Sequence, residues 1–472
     1  MGSKTITLPK KLILLTVVST IGLFCCSSLR HSLFWSGAFD LGYFDQAAYL
    51  ISQGQPPIVS FWGYHFLGGH GDWILYPIGL LYRIVPTVYW LFAIQALSLS
   101  LGHLTTWLVA QQVGLNVAKS WAIVLAYGLY PLVFNLNLFD FHPEVIALPL
   151  ILLAVWAARA DRLWLFAGCL VVILGCRDAL AITVAAMGVW LWFFEKRQRA
   201  GAIAIAWGIG WFIFVTQILI PHFRPDGVEA VRRYAFLGDS LPEVMANLFL
   251  QPGLVLGRVF SGETIGYLAL LLLPLFWALT PRFLAPTIVG LPNLIINILS
   301  SSPAQRDLVH QYSLPILPFL LLAGIACLAA DRPILLRKPR WIIAWSLFGF
   351  LCLAKYSYFG WKFLDRLDTS AAVQAAMAQI LPQASVLTTH DIVPHLTHRA
   401  QIDFTKGDRT LQIDRFDAVL LNLKHPGFGS DRAYAQFVLQ QAQKNGSFQL
   451  RSIQNDTQDD VYLFIRNFPD QP

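Results

Sequence analysis

Long apolar runs separated by short polar joints fill the first three quarters of this chain. Eleven of them approach the roughly 20 residues that an α-helix needs to cross a hydrocarbon core of about 30 Å. They are residues 12–29, 87–110, 120–138, 144–158, 163–176, 179–194, 201–220, 266–280, 283–299, 313–330 and 341–357. The fourth, fifth, sixth and eighth are short for a full crossing. Pro274 and Pro318 fall inside runs, where neighbouring helices can satisfy the backbone groups that proline frees.

The pattern changes near residue 358. Ser385–Thr389 and Ala418–Leu423 read as buried strands and Val461–Arg466 as a last strand, while Thr369–Leu381 and Asp431–Lys444 read as helices. Strands alternating with helices predict a small α/β domain. The expected organisation is thus a transmembrane domain over 1–358, with external loops at 30–86 and 221–265, and an extracytoplasmic α/β domain over 359–472. The tail has neither a Gly-rich phosphate loop nor a nucleophile motif, so it reads as a docking or acceptor-binding module. No repeat of fixed period is visible.

Composition excludes the other classes. Of 472 residues 56% are hydrophobic and 13% charged, and mean hydropathy is +0.56. A soluble domain carries roughly 25% charged residues, and a disordered chain is far less apolar. A polytopic α-helical membrane protein is what remains.

Charge orients it. Alternate joints hold Lys4, Lys10, Lys11, Lys119, Arg159, Arg162, Lys196, Arg197, Arg199, Arg282, Arg332, Arg337, Lys338 and Arg340, against the acids Asp161, Glu195 and Asp331. The other side of residues 1–358 carries 9 basic and 12 acidic groups. The Lys/Arg bias places the first set in the cytoplasm, and an odd number of spans then puts the tail outside. The net charge of +7 is mostly this topology signal and no nucleic-acid footprint. Phe24-Cys25-Cys26 is a poor cleavage site, so the first span is expected to be a retained anchor. All six cysteines lie in or at the ends of apolar spans without disulfide or zinc spacing, as small core hydrophobes do.

Polar residues at a membrane boundary are costly and mark candidate sites. Five clusters fall on the expected outer face. Asp40 and Asp45, in Phe39-Asp-Leu-Gly-Tyr-Phe-Asp-Gln46, stand about 140° apart on a helix. One can face a substrate while the other does structural work, or Asp40 simply caps a short helix. His65, His70 and Asp72 lie in a Gly-rich loop that suits hydrogen bonding to a substrate; a divalent metal is the alternative, although the spacing matches no zinc signature. Asp140, His142 and Glu144 crowd one turn, as site residues or as caps of the next helix. Arg177 and Asp178 sit between two spans, where they either neutralise each other or offer a planar fork to a phosphate. The loops 221–265 and 300–312 carry Arg224, Arg232, Arg233, Tyr234, Arg258, Gln305, Arg306, His310 and Gln311. Arginines facing outward run against the positive-inside trend and suit an anionic ligand, with solvated loop charge as the plainer reading.

The first-loop motif at 39–46, the Phe-Asp-Phe-His-Pro-Glu turn at 139–144, the Cys-Arg-Asp step at 176–178 and the Ala-Pro…Leu-Pro-Asn-Leu-Ile-Ile-Asn stretch at 285–297 resemble the membrane-protein family catalogued as domain of unknown function 2079. The tail segments 381–387 and 394–399 fit its extracytoplasmic end. Where that family often has an acid beside Asp178, this chain has Arg177. The family is similar in layout to the GT-C superfamily of integral-membrane glycosyltransferases. That resemblance implies transfer of a sugar from a polyprenyl-phosphate donor to a glycan, lipid or protein acceptor outside a bacterial plasma membrane, with inversion. It implies Asp40 as general base with Asp45 in reserve, Arg232, Arg233 or Arg306 on the phosphate, and His65, His142 and Glu144 around the sugar. No definite cofactor is implied. A transporter or lipid flippase would also explain the spans but predicts internal repeats; a non-catalytic scaffold predicts that the outward charges do not converge.

Overall fold

The computed structural model describes residues 8–225, 229–407, 412–451 and 461–467. All eleven apolar runs are helical. Among the described residues, five helices are long and apolar enough to cross a membrane: Lys10–Ser32, Tyr89–Gln112, Gln198–Phe223, Pro303–Ala329 and Pro339–Met377. The number becomes seven if two bent pairs each count as one span, Val117–Gly128 with Pro131–Asn137, and Pro252–Val259 with Gly262–Ala278. The remainder, such as Leu163–Leu174, Leu180–Phe193 and Ala285–Leu299, fall short. At 1.5 Å per residue a helix of 12 to 15 residues covers only about 20 Å. The expected eleven crossings are thus eleven apolar helical segments, of which five to seven meet the criteria for a span.

The chain divides into two compact units. The first comprises Met1–Phe24, Leu67–Ile74 and Ala93–Lys355 and holds nearly all the apolar helices; the second comprises Cys25–Phe66, Leu75–Phe92 and Tyr356–Pro472. Most of the first loop, all but Leu67–Ile74, therefore shares a unit with the tail.

Within the first unit, the antiparallel pair Leu180–Phe193 and Gln198–Phe214 is the tightest junction. A Cβ on Gly188 would stand 2.6 Å from the Ile205 nitrogen and 2.8 Å from the Gly201 oxygen. One on Gly208 would stand 2.5 Å from the Ala185 nitrogen and 2.7 Å from the Ala181 oxygen. These neighbours are backbone and cannot swing aside. Small residues let two helices meet at backbone distance, where dispersion supplies the attraction that apolar burial does not supply in lipid. This contact fixes the helix whose first turn follows Arg177 and Asp178.

The second unit is built on a five-stranded sheet. Its strands follow a two-residue hairpin, β1 (Ile58–Val59) with β2 (Tyr64–His65), and are β3 (Val386–Thr388), β4 (Ile402–Phe404), β5 (Ala418–Asn422), β6 (Phe448–Arg451) and β7 (Val461–Arg466), in the order β4-β3-β5-β7-β6. β3 pairs parallel with β4 and β5, and β7 antiparallel with β5 and β6. Phe416, Val419, Leu421 and Phe464 pack on Ala435, Val438 and Ala442 of the helix Arg432–Lys444. The alternation of strand and helix is as the sequence predicts. Two strands escape such a reading: β4 is three residues with Asp403 at its centre, and β6 is an edge strand with only Phe448 buried.

Polar bonds join the first loop to this sheet. Ser60 Oγ donates to the Ile402 carbonyl at 2.6 Å, and Gln46 Nε2 donates to Ser60 Oγ at 2.9 Å and to the Arg399 carbonyl at 3.1 Å.

Gly188→Ala is expected to destabilise the protein by about 1–3 kcal/mol, the usual cost of overpacking, read as a lowered melting temperature in detergent. Gly168→Ala, with nothing within 4 Å of its Cβ position, should melt as the parent does.

Candidate functional site

The first unit contains an open cleft lined by His70, Glu144, Arg177, Asp178, Arg233, Tyr234, Asn293, Asn297, Gln305, Gln311 and Tyr312 among others. Its centre is Arg177, in the turn between the helices Leu163–Leu174 and Leu180–Phe193. That turn is pinned by the backbone of the 70–74 segment: the Asp178 N–H donates to the His70 carbonyl at 3.1 Å, and the Ile74 N–H to the Gly175 carbonyl at 3.0 Å. Gly175 is required there, because a Cβ would lie 2.4 Å from the Trp73 ring.

Arg177 Nη1 donates to Glu144 Oε1 at 2.5 Å, and Nη2 lies 2.9 Å from His70 Nε2. A guanidinium can only donate. His70 Nε2 is therefore the acceptor, and a neutral imidazole carries its proton on Nδ1, 3.5 Å from Asp178 Oδ1. Burial pushes the Asp178 carboxyl up, but His70 and Arg177 outweigh it and hold the group below its ordinary value. For Arg177 burial disfavours the cation, yet Glu144 and the neighbouring acids keep its pKa above normal.

Arg233 reaches the same place from the 3₁₀ turn Glu229–Tyr234. Its Nη1 donates to the Tyr312 hydroxyl at 3.0 Å, and its guanidinium stands 5.3 Å from that ring, which Arg177 approaches to 6.0 Å. Among the described residues Arg233 has no carboxylate partner. Three buried acceptors of the lining have no hydrogen-bond partner: Glu144 Oε2, Gln305 Oε1 and Gln311 Oε1. A cleft with two arginines and unused acceptors suits a ligand that combines anionic oxygens with hydroxyl donors. Among the described residues no group of three or more His, Cys, Asp or Glu could hold a metal ion.

The other expected site residues fall elsewhere. His142 stacks on Phe139 at 5.4 Å, and His310 meets the same ring edge-on at 4.6 Å while its Nδ1 lies 2.7 Å from Asp307. Asp140 is buried beside them, its carbonyl 3.0 Å from His142 Nδ1. Arg306 is buried against the Ser300 carbonyl and pairs with Glu263 at 2.7 Å. Arg232 is exposed.

In the second unit Asp45 is 1% exposed. It accepts from the Tyr82 hydroxyl at 2.7 Å and from Thr397, and pairs with His398 Nε2 at 3.2 Å. Burial works against charge on His398, but Asp45 outweighs it and the pKa lies above normal. Asp40 is half-buried in the π-helical turn Ala38–Gly42, and His65 stacks on Phe66 at 5.1 Å.

Tyr312, Asn293 and Asn297 line the cleft without a local signal in the sequence. The two asparagines are four apart and so share one face of an apolar helix. Asn293 Nδ2 donates to Thr183 at 2.8 Å and Asn297 Nδ2 to the Tyr267 hydroxyl at 3.0 Å. Asp72, which the sequence does point to, is 1% exposed with Oδ1 unpartnered. Burial raises its pKa to about 6 against the partial opposition of His70 and Arg177. The folded state thus holds a proton on Asp72 that the unfolded chain releases near 3.8, and stability falls as pH rises from about 4 to about 6. Asp72→Asn is expected to raise the melting temperature at pH 7.5, with the gain shrinking to nothing by pH 4. A gain of equal size at both pH values would contradict this.

No curated protein matches the sequence. Among solved structures the fold is similar to that of ArnT from Cupriavidus metallidurans. ArnT bound to undecaprenyl phosphate aligns with a TM-score of 0.58 at 12% identity, covering 97% of this chain and 98% of that one. ArnT in the apo state aligns with the same TM-score at 11% identity, over 96% and 97%. The likeness is one of fold and agrees with the GT-C resemblance. Residues 30–458 match the family described as Predicted membrane protein (DUF2079), and the chain belongs to that family.

Proposed function

We propose that this protein is a GT-C-type glycosyltransferase that moves a sugar from a polyprenyl-phosphate-linked donor to an extracytoplasmic acceptor. The observation that carries the reading is the cleft in which Arg177 and Arg233 meet over Tyr312 beside the unpartnered acceptors of Glu144, Gln305 and Gln311. A sugar joined to a phosphate offers that combination of charge and donors. The similar fold of ArnT, crystallised with undecaprenyl phosphate, supports the lipid-linked class of donor.

In the reaction an acceptor hydroxyl attacks the anomeric carbon and gives its proton to a carboxylate. The bond from that carbon to the phosphate oxygen breaks, through an oxocarbenium-like transition state. Polyprenyl phosphate leaves with the electron pair, and arginine donors stabilise the charge it gathers. Arg233, free of a carboxylate among the described residues, is the preferred phosphate ligand, with Arg177 held in place by Glu144. Asp40 is the proposed base. Asp45 is the weaker candidate, since both of its oxygens already accept hydrogen bonds. In this scheme the N-terminus is cytoplasmic and the tail lies outside.

The test uses purified protein in lipid with a panel of polyprenyl-phosphate sugars, following donor consumption. Asp40→Asn should lower turnover by at least 100-fold, in keeping with loss of a general base, with donor affinity retained. Arg233→Ala should weaken donor binding by about tenfold, the loss of one charge-assisted contact. Full turnover in Asp40→Asn would remove the base assignment. Unchanged donor affinity in Arg233→Ala would remove the phosphate site.

A further inference from the structure

The segment between Ser240 and Ser261 carries a surface that a solvated loop does not. It forms two helices, Leu241–Leu250 and Pro252–Val259, joined at Gln251. One side faces the protein: Val244 is buried with Leu237 and Leu299, and Leu248 and Val255 pack on the same cluster beside Val231 and Tyr234. The opposite side is bare, with Met245 53%, Phe249 81%, Leu250 75%, Leu254 47%, Leu256 53% and Phe260 73% exposed. Isolated apolar residues on a surface are ordinary, but a contiguous patch of this kind marks a contact.

The occupant follows from what adjoins the patch. The helix Pro252–Val259 continues through a bend of 50° into Gly262–Ala278, and together the two are apolar enough to form one broken span or a re-entrant loop. Exposed Ile265, Leu273 and Phe276 extend the same apolar surface along that span. Between Leu241 and Phe260 the sequence has two ionisable residues, Glu243 and Arg258. Neither lies within the patch: Glu243 accepts the Asp239 N–H at 3.0 Å, and Arg258 turns to the Ser300 carbonyl at 2.8 Å and to Glu263 at 3.5 Å.

We propose that Leu241–Phe260 is a membrane-embedded hairpin whose outer face is covered by the acyl chains of the bilayer and whose inner face backs the arginine cleft. Tyr234 links the two, since it packs on the hairpin cluster, lines the cleft and donates its hydroxyl to the Ile296 carbonyl at 3.1 Å. The cleft then adjoins the leaflet directly, and a lipid-linked molecule would reach it by lateral diffusion. Helices with one apolar face and few charges lie in this way at an interface. The hairpin therefore belongs to the membrane and not to the solvated loop expected at 221–265.

Spin labels test it. Cys25 and Cys352, the exposed cysteines, are replaced by Ser, and Phe249→Cys, Leu256→Cys and Phe260→Cys are labelled one at a time in phosphatidylcholine vesicles. Phe428→Cys, on a residue 93% exposed in the second unit, is the control. Collision with oxygen should exceed collision with a water-soluble nickel chelate at the three hairpin positions, and the order should reverse at Phe428. Nickel access at Phe249 and Phe260 equal to that at Phe428 would show a solvated loop and overturn the proposal. Poor access to both reagents would show a protein cover and overturn it equally. Three separate positions guard against one variant that fails to fold. The readout is lipid contact, so a chain without transferase activity would still pass.

Discussion

A buried ionised side chain has to be neutralised where it stands, and the pair Arg177–Glu144 meets that demand in this protein. Arg177 is 11% and Glu144 3% exposed at the side chain. Removing one partner of a buried pair costs about 3–5 kcal/mol, because the other is left charged and unpaired. The pair also ties two helix starts together, that of Glu144–Arg159 and that of Leu180–Phe193. His70 then docks on the second guanidinium nitrogen and orients its proton toward Asp178, so one cation organises three other ionisable groups. The cleft inherits its shape from this arrangement and its second cation from Arg233.

Much of this was legible in the sequence. The apolar runs located every long helix, and Glu144, Arg177, Asp178 and Arg233 of the cleft lining stand in polar clusters that the sequence pattern marks. What failed to show were distances through space. Tyr312 follows the marked residues His310 and Gln311 but signals nothing by itself, and Asn293 and Asn297 are visible only if the i, i+4 rule is applied inside a span. Asp72 stood in a noted motif, yet its burial depends on packing of the 70–74 segment that no local pattern reports. Crossing count was the least legible feature. Hydropathy finds apolar helices, but helices of 12 to 15 residues are too short for one crossing by themselves, and bends such as that between Val259 and Gly262 cannot be read from composition.

The second unit shows why a tail read in isolation misleads. Its strands alternate with helices as a separate domain would, but Gln46 and Ser60 of the first loop bond to the carbonyls of Arg399 and Ile402, and Asp45 is sealed by Tyr82, Thr397 and His398. Such bonds between residues some 350 apart in sequence make the first loop part of the sheet's own structure. An Asp with both oxygens occupied stabilises this join.

The central claim is that the arginine cleft holds the phosphate of a lipid-linked ligand. A cryo-electron microscopy map of the protein in nanodiscs with added polyprenyl phosphate tests it most directly. The account predicts phosphate density within hydrogen-bonding distance of Arg233, next to the Tyr312 ring, with the isoprenoid tail leading away into the lipid. A phosphate bound elsewhere on the protein, with only water between Arg177 and Arg233, would contradict it.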